Sequence, residues 1–337
     1  MSSPITVNVI AKDYAYGLKQ DAGIIIDLLN ASGFEAKFKT IEDLGGEGVR
    51  AKIDRRIVPL KYALTYQFLP HFYPKREVNI FLEQFPVHML PCGRRQVLIP
   101  NQEWFVGDME VLKKFDLVVC KTRVAEEIFS QQGCRTALSS FTSIDRRLSP
   151  PPPKRREFLM ITGAWSHVER ERVFELWARH PEWPGITISS WFTPTDTAPP
   201  NVRLLRDFVS KEEIIRLQNE HLFHLCVTTA EGFGHKFNEG FSCGAIVIAT
   251  DGPPMNEIVQ PDRGLLVKWN KSNPLRLGTE YHFDEADLER TIECALRLTP
   301  EEIAVMTSNG RKWYEENDRF FRKQLPLILK KLMAEGA

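Results

Sequence analysis

The sequence predicts an α/β protein built from two doubly wound parallel-sheet domains, and three observations carry that reading. Short apolar, β-branched runs alternate with stretches of helical periodicity along most of the chain, as in repeated βαβ units. The alternation breaks at Pro150, Pro151, Pro152 and Pro153, a run that suits neither helix nor central strand and makes a stiff connector. A length of 337 residues suits about two domains. The expected boundaries are residues 1–149, residues 150–317 and a terminal helical segment, residues 318–337.

In the first domain, Thr6–Ala11 reads as a β-branched strand. Leu18, Ala22, Ile25, Ile26 and Leu29 then recur at helical spacing, and Gly33 ends that helix before a strand over residues 34–38. Asp13, Tyr14, Tyr16 and Gly17 would line the carboxyl edge of the first strand, in a turn that lacks the GxGxxG of a dinucleotide site. Gly45, Gly46 and Gly48 suggest a phosphate loop but lack the lysine and hydroxyl of a P-loop, and a surface turn is the competing reading. Arg50, Lys52, Arg55, Arg56 and Lys61 face one acid, Asp54. That run is either a solvated face or a contact for an anionic acceptor or membrane surface. Residues 78–82 and 96–99 are buried strands ending in Glu83 and Gln84, and in Asn101, Gln102 and Glu103, where a parallel sheet places functional groups. His88 follows the first of them, a candidate to orient a phosphate or hydroxyl, or an ordinary loop histidine. Residues 116–120 form a further strand, Thr122 caps a helix through Phe129, and residues 136–142 complete the sheet.

Beyond the prolines the alternation restarts. Strands are expected at residues 158–162, 186–191, 202–208, 221–229, 245–249 and 264–269. Helices are expected at residues 168–179, at 211–220 after the cap Ser210, and at 285–297. Thr299, Pro300, Glu301 and Glu302 form a helix-start signal for a segment running toward Asn317, and a last amphipathic helix covers residues 320–333.

Lys plus Arg and Asp plus Glu both number 44, so no global field recruits nucleic acid. The six cysteines show neither CxxC pairs nor metal-ligand spacing. The first residues carry no basic region followed by a signal-length apolar core, and no run approaches the roughly 18 apolar residues of a membrane span. A reduced cytoplasmic protein is expected, peripheral to the membrane if the basic run contacts its surface.

The chemistry concentrates between Ala230 and Val259, in AEGFGHKFNEGFSCGAIVIATDGPPMNEIV. An apolar strand leads into Glu231, Gly232, Phe233 and Gly234, a turn that needs glycine, and a short helix ends at Gly244 before the next strand. A helix starting after Gly234 presents unpaired N–H groups and the positive end of its dipole, which suits phosphate. Glu231 and Glu239 bracket that start, and carboxylates accept hydrogen bonds from sugar hydroxyls. A ligand carrying both phosphate and hydroxyls, a sugar nucleotide, fits the arrangement.

This stretch resembles the donor-site signature of retaining GT-B glycosyltransferases, particularly glycosyltransferase family 4. In that family two glutamates are separated by seven residues within EGFG…E…CG.PV…D….EIV. Glu231, Gly232, Phe233, Gly234, Glu239, Cys243, Gly244, Val247, Asp251 and Glu257 fall in register without a gap. The resemblance extends over roughly residues 158–267 and implies two Rossmann-like domains facing a cleft, with the last helix crossing back to the first domain. It implies that Glu231 meets the hydroxyls of the transferred sugar, that Glu239 meets the ribose of a UDP- or GDP-sugar, and that the backbone near Phe208 and Val209 receives the base. Gly163, Gly232, Phe233, Gly234 and His235 complete the donor side. Asp13, Tyr16, Gly17 and His88 become acceptor-side candidates, the acceptor being a glycan, a lipid-linked sugar or another hydroxyl. No cofactor is implied beyond the nucleotide-sugar co-substrate, and no DxD-type metal pair stands at a strand end.

Two departures from the family pattern stand out. Gly163 is followed by Ala164 where the family carries arginine, and Arg170 occupies its lysine position. A departing diphosphate needs positive charge, which makes Arg170, Lys236 and a protonated His235 the candidates to supply it. Pro253 and Pro254 replace the usual glycines and remove N–H donors. The leading expectation is a metal-independent, retaining hexosyltransferase. A non-catalytic sugar-nucleotide binding subunit is the alternative, and a nicotinamide oxidoreductase is disfavoured by the absent GxGxxG.

Overall fold

The computed structural model describes residues 4–12, 16–41, 76–86, 89–90, 93–162, 167–189, 198–205 and 209–335. Asp13, His88, Gly163 and Phe208, the glycines at 45–48 and the basic run at 50–61 lie outside the described residues. The chain divides into two compact units, Met1–Phe141 with Phe320–Ala337, and Thr142–Arg319. The proline run thus falls within the second unit.

The first unit contains β1 (Thr6–Ala11), α1 (Tyr16–Ala31), β2 (Glu35–Thr40), β3 (Arg76–Leu82), β4 (Gly93–Ile99), α2 (Met109–Leu112), β5 (Leu117–Cys120), α3 (Arg123–Gln131) and β6 (Thr136–Leu138). The six strands form one parallel sheet in the order β2-β1-β3-β4-β5-β6. In the central strand β3, Val78, Ile80, Phe81 and Leu82 are all buried, so apolar side chains are covered on both faces of the sheet, and the buried Asn79 accepts from Asn8 and donates to Gln96. Thr122 caps α3 by accepting from the N–H of Ala125. Tyr16 and Gly17 are the first residues of α1, so that helix starts two residues before Leu18, and neither lies in the preceding turn.

The second unit runs β7 (Arg155–Ile161), α4 (His167–Arg179), β8 (Ile186–Ser189), β9 (Val202–Leu205), α5 (Lys211–Glu220), β10 (His221–Cys226), α6 (His235–Ser242), β11 (Ile246–Thr250), α7 (Met255–Ile258), β12 (Gly264–Val267), β13 (Trp269–Leu275), β14 (Gly278–Phe283), α8 (Glu285–Arg297) and α9 (Pro300–Ala334). Its sheet is parallel in the order β12-β11-β10-β7-β8-β9. The core stacks Phe158 on Phe223 at 4.8 Å between centroids, with Trp177 edge-on to Phe158 at 5.1 Å. The Trp177 indole N–H donates to the Pro184 carbonyl, so the buried ring leaves no polar atom behind.

Two features differ from expectation. β13 and β14 form an antiparallel hairpin that was not anticipated, tied to the sheet by the Tyr281 N–H on the Thr229 carbonyl at 2.7 Å. The expected break near Asn317 is absent, and α9 is one continuous helix containing Pro326. It opens on a reciprocal capping box: Glu302 N–H donates to Thr299 Oγ1 and Thr299 N–H to the Glu302 carboxylate. From Phe320 onward α9 belongs to the first unit, so the last helix returns to the first domain. There Phe321 packs on Phe141 at 4.8 Å, Leu325, Leu329 and Leu332 are buried, and Arg135 pairs with Glu335 at 2.7 Å. Full burial of each such apolar side chain is worth about 1.5–3 kcal/mol. Among the described residues no helix is long and apolar enough to cross a membrane.

Candidate functional site

Topology locates the site. In the second sheet the chain leaves β7 toward β8 on one side, while β10 pairs with β7 on the other. The order therefore reverses between β7 and β10, and ligands of doubly wound sheets bind outside the carboxyl ends of strands at such a point. The segment that follows β10 carries Glu231, Gly232, Phe233 and Gly234, and α6 starts immediately after it.

Gly234 makes the turn. Its φ of 81° lies in the left-handed region, and a Cβ there would run into the Phe237 ring, which is fully buried. Gly234 brings no capping side chain, so the first N–H groups of α6 start the helix without one. Phe233, Phe237 and Phe241 are buried and fix the helix on the sheet.

Charged side chains gather around this helix start. Lys236 Nζ lies 3.0 Å from Glu231 Oε1, both side chains about a fifth to a quarter exposed, at 25% and 19%. Burial pushes the Lys236 pKa down, but the Glu231 carboxylate, Cys226 and Glu169 more than offset it, and the ammonium is held above its ordinary value. Glu239, further along α6, is 12% exposed and held at both oxygens: Arg146 Nη2 donates to Oε1 at 2.9 Å and Gln218 Nε2 to Oε2 at 2.8 Å. His235 Nδ1 lies 2.6 Å from Ser143 Oγ, and its ring stands edge-on to Phe233 at 6.3 Å.

Sequence reasoning missed the segment that supplies Ser143 and Arg146. Residues 142–148 run along α6 and are fastened at nearly every step. Thr142 Oγ1 donates to Asp318, Tyr314 donates to the Ser143 carbonyl, and Asp145 takes a two-pronged bond from Arg311 at 2.8 Å on each oxygen. The Arg146 N–H donates to Ser242 Oγ, Asn219 donates to the Arg146 carbonyl, and the Leu148 N–H returns to Asn219. Lys154 then spans the end of α5, donating to the Asn219 and His221 carbonyls, and burial lowers its pKa to about 8. Separations of 92 and 93 residues between Ser143 and His235, and between Arg146 and Glu239, leave no local pattern to read.

The remaining sequence candidates are placed as follows. Glu169 and Arg170 are buried on the first turns of α4, and Glu169 is close enough to Lys236 to raise its pKa. Val209 is half-buried, directly before the α5 cap Ser210. Gly232 is buried. Tyr16 and Gly17 open α1 in the first unit. Asp251 accepts from Asn256, and the Tyr281 ring covers Gly252, leaving no room for a Cβ there. Among the described residues no three His, Cys, Asp or Glu gather closely enough to hold a metal ion. What the site offers is a helix start, a lysine–glutamate pair and a second, clamped glutamate.

No protein-family model matches the chain, and no curated protein sequence matches it. Solved structures do. The chain is similar to a glycosyltransferase from Rickettsia africae ESF-5 at 11% identity and a TM-score of 0.73, covering 98% of this chain and 99% of that one. It is similar to sucrose-phosphate synthase from Thermosynechococcus elongatus at 13% identity and a TM-score of 0.64, covering 98% and 100%. Anabaena Alr3699/HepE, in complex with UDP-glucose, matches at 13% identity and a TM-score of 0.64, covering 98% and 99%. Likeness at this level of identity shows the fold, and the fold is GT-B: two parallel six-stranded sheets with a last helix returning to the first.

Proposed function

We propose that the protein is a retaining, metal-independent glycosyltransferase of the family 4 type, moving a hexose from a UDP- or GDP-sugar to an acceptor hydroxyl. The observation that carries this reading is the left-handed Gly234 opening α6 at the switch point of the second sheet, with Glu231 before it and Glu239 within. That Anabaena Alr3699/HepE was solved with UDP-glucose supports the choice of ligand.

The roles follow from chemistry. The start of α6 and Lys236 face the growing charge of the diphosphate as the glycosidic bond breaks, with Arg170 and His235 as further cations. Glu231 accepts from the sugar hydroxyls, and the same carboxylate holds Lys236 in place. Glu239 accepts from the ribose, and the backbone at Phe208 and Val209 receives the base. Gly163 and the glycines of the turn let the backbone approach the diphosphate. The acceptor, a glycan or lipid-linked hydroxyl, attacks from the face the leaving group departs, with Asp13, Tyr16, Gly17 and His88 proposed as its contacts. Action in the cytoplasm, at the membrane surface if residues 50–61 contact it, is part of the same reading.

A second reading, a sugar-nucleotide binding subunit without turnover, is favoured by one observation. Lys236, the cation nearest the motif, is already paired with Glu231. A thermal-shift panel of UDP- and GDP-sugars identifies the donor, because a ligand of the native state alone raises the melting temperature. Release of free nucleotide from that donor then separates the readings. Turnover supports the enzyme, and tight binding with no turnover in the presence of candidate acceptors supports the subunit.

A further inference from the structure

Resting on the reading of Glu239 as the ribose contact, we infer that Arg146 and Gln218 are positioning residues for nucleotide recognition. They clamp the Glu239 carboxylate in the orientation that receives ribose hydroxyls. Each holder takes one oxygen, at 2.9 Å and 2.8 Å. A carboxylate offers about four lone-pair sites, so two donors leave room for two hydroxyls. The remaining exposure of 12% gives those hydroxyls an edge to reach.

The holders are themselves fixed. Arg146 is 5% exposed, and its backbone is hydrogen-bonded on both sides, to Ser242 and to Asn219. Gln218 is 2% exposed at the end of α5, and His224 Nε2 lies 3.0 Å from its carbonyl. Neither side chain is shared with a wider network. Arg146 Nε and Nη1 and Gln218 Oε1 are buried and meet no hydrogen-bonding partner among the described residues. The side-chain hydrogen bonds of both residues therefore converge on Glu239. A carboxylate held by two donors recognises further donors only, which is the difference between a ribose and a sugar lacking those hydroxyls. A role confined to fastening residues 142–148 predicts instead that every nucleotide is weakened alike.

Isothermal titration of the intact protein with UDP and 2′,3′-dideoxy-UDP, and with the matching guanosine pair, tests this. The wild-type protein is expected to prefer the ribonucleotide by about tenfold or more, the weight of a hydrogen bond to a charged group. Arg146→Gln should cut that preference to about threefold or less, mainly by weakening the ribonucleotide. Glu239→Gln should do the same, the double variant should lose nothing more, and Arg146→Lys should recover part of the preference. If Arg146→Gln unfolds, Gln218→Leu takes its place with the same expected loss. A preference left intact in the variants, with both nucleotides weakened equally, overturns the clamp. A wild-type protein that binds nucleotide without preferring ribose removes the role of Glu239 and the clamp with it. A wild-type protein that binds neither base refutes the functional reading itself.

Discussion

Both sheets are parallel and six-stranded among the described residues, yet they use charge at their carboxyl edges in opposite ways. In the first sheet the order reverses between β1 and β3, as it does between β7 and β10 in the second. At the first edge Lys121 and Asp21 pair at 2.5 Å with both side chains 4% exposed. Lys121 also donates to Asn101 and lies over the Phe141 ring, 4.6 Å from its centroid. At the second edge the Lys236–Glu231 pair keeps 25% and 19% of its side-chain surface in contact with solvent. A sealed pair holds a fold together. A partly open pair beside a helix start leaves side-chain surface that a ligand can reach.

The largest expected effect tests that contrast directly. Lys121→Met removes the ammonium 2.5 Å from the buried Asp21 carboxylate and should cost about 3–5 kcal/mol in denaturant unfolding. Lys236→Met, at a pair that is still a fifth to a quarter exposed, should cost less, about 1–2 kcal/mol. Equal losses at the two positions would erase the distinction between the edges.

The two edges were not equally legible in the sequence. Strands, their order along the chain and the caps at Thr122, Ser210 and Thr299 could be read because each depends on neighbours in sequence. The Glu231 and Glu239 pair was visible for the same reason, since turn and helix lie within one short stretch. The clamp was not, because its donors come from the segment after the first unit and from α5. The hairpin of β13 and β14 was hidden because Asn270, Lys271, Ser272, Asn273 and Pro274 carry no apolar alternation. Its stability comes from the Tyr281 backbone bond to Thr229 and the burial of Phe283. A helix end was expected near Asn317, but Asp318 accepts from Thr142 and α9 continues past it.

Two glycines sharpen the picture next. Gly234 and Gly244 flank α6, both left-handed, with φ of 81° and 66°. A Cβ at Gly244 would meet nothing, so Gly244→Ala should cost only the left-handed strain, about 1–2 kcal/mol. Gly234→Ala adds a collision with Phe237 and should cost about 3 kcal/mol in the same unfolding experiment. Comparable losses would show that Phe237 yields and the turn is not fixed.

The last effect concerns acid. His224 lies beneath α6, where a Cβ at Gly240 would come within 2.9 Å of its Nδ1, and burial lowers its pKa from 6.5 to about 3. The folded protein keeps it neutral while the unfolded chain takes up a proton, so the contribution is complete above pH 6.5 and is lost as pH falls toward 3. By pH 5 the loss should approach about 2 kcal/mol. His221, also lowered by burial, adds in the same direction. Unfolding curves of the wild type and His224→Gln across this window should differ in slope, and parallel curves would show that His224 is protonated in the folded state.

The central claim is that the open edge of the second sheet handles a sugar nucleotide and that Glu231 meets the sugar. Steady-state turnover and nucleotide affinity of Glu231→Gln test it most directly, using the donor found by the thermal-shift panel. The account predicts that turnover falls by about a hundredfold or more while UDP or GDP affinity changes by less than about threefold. Turnover equal to that of the wild type would contradict it.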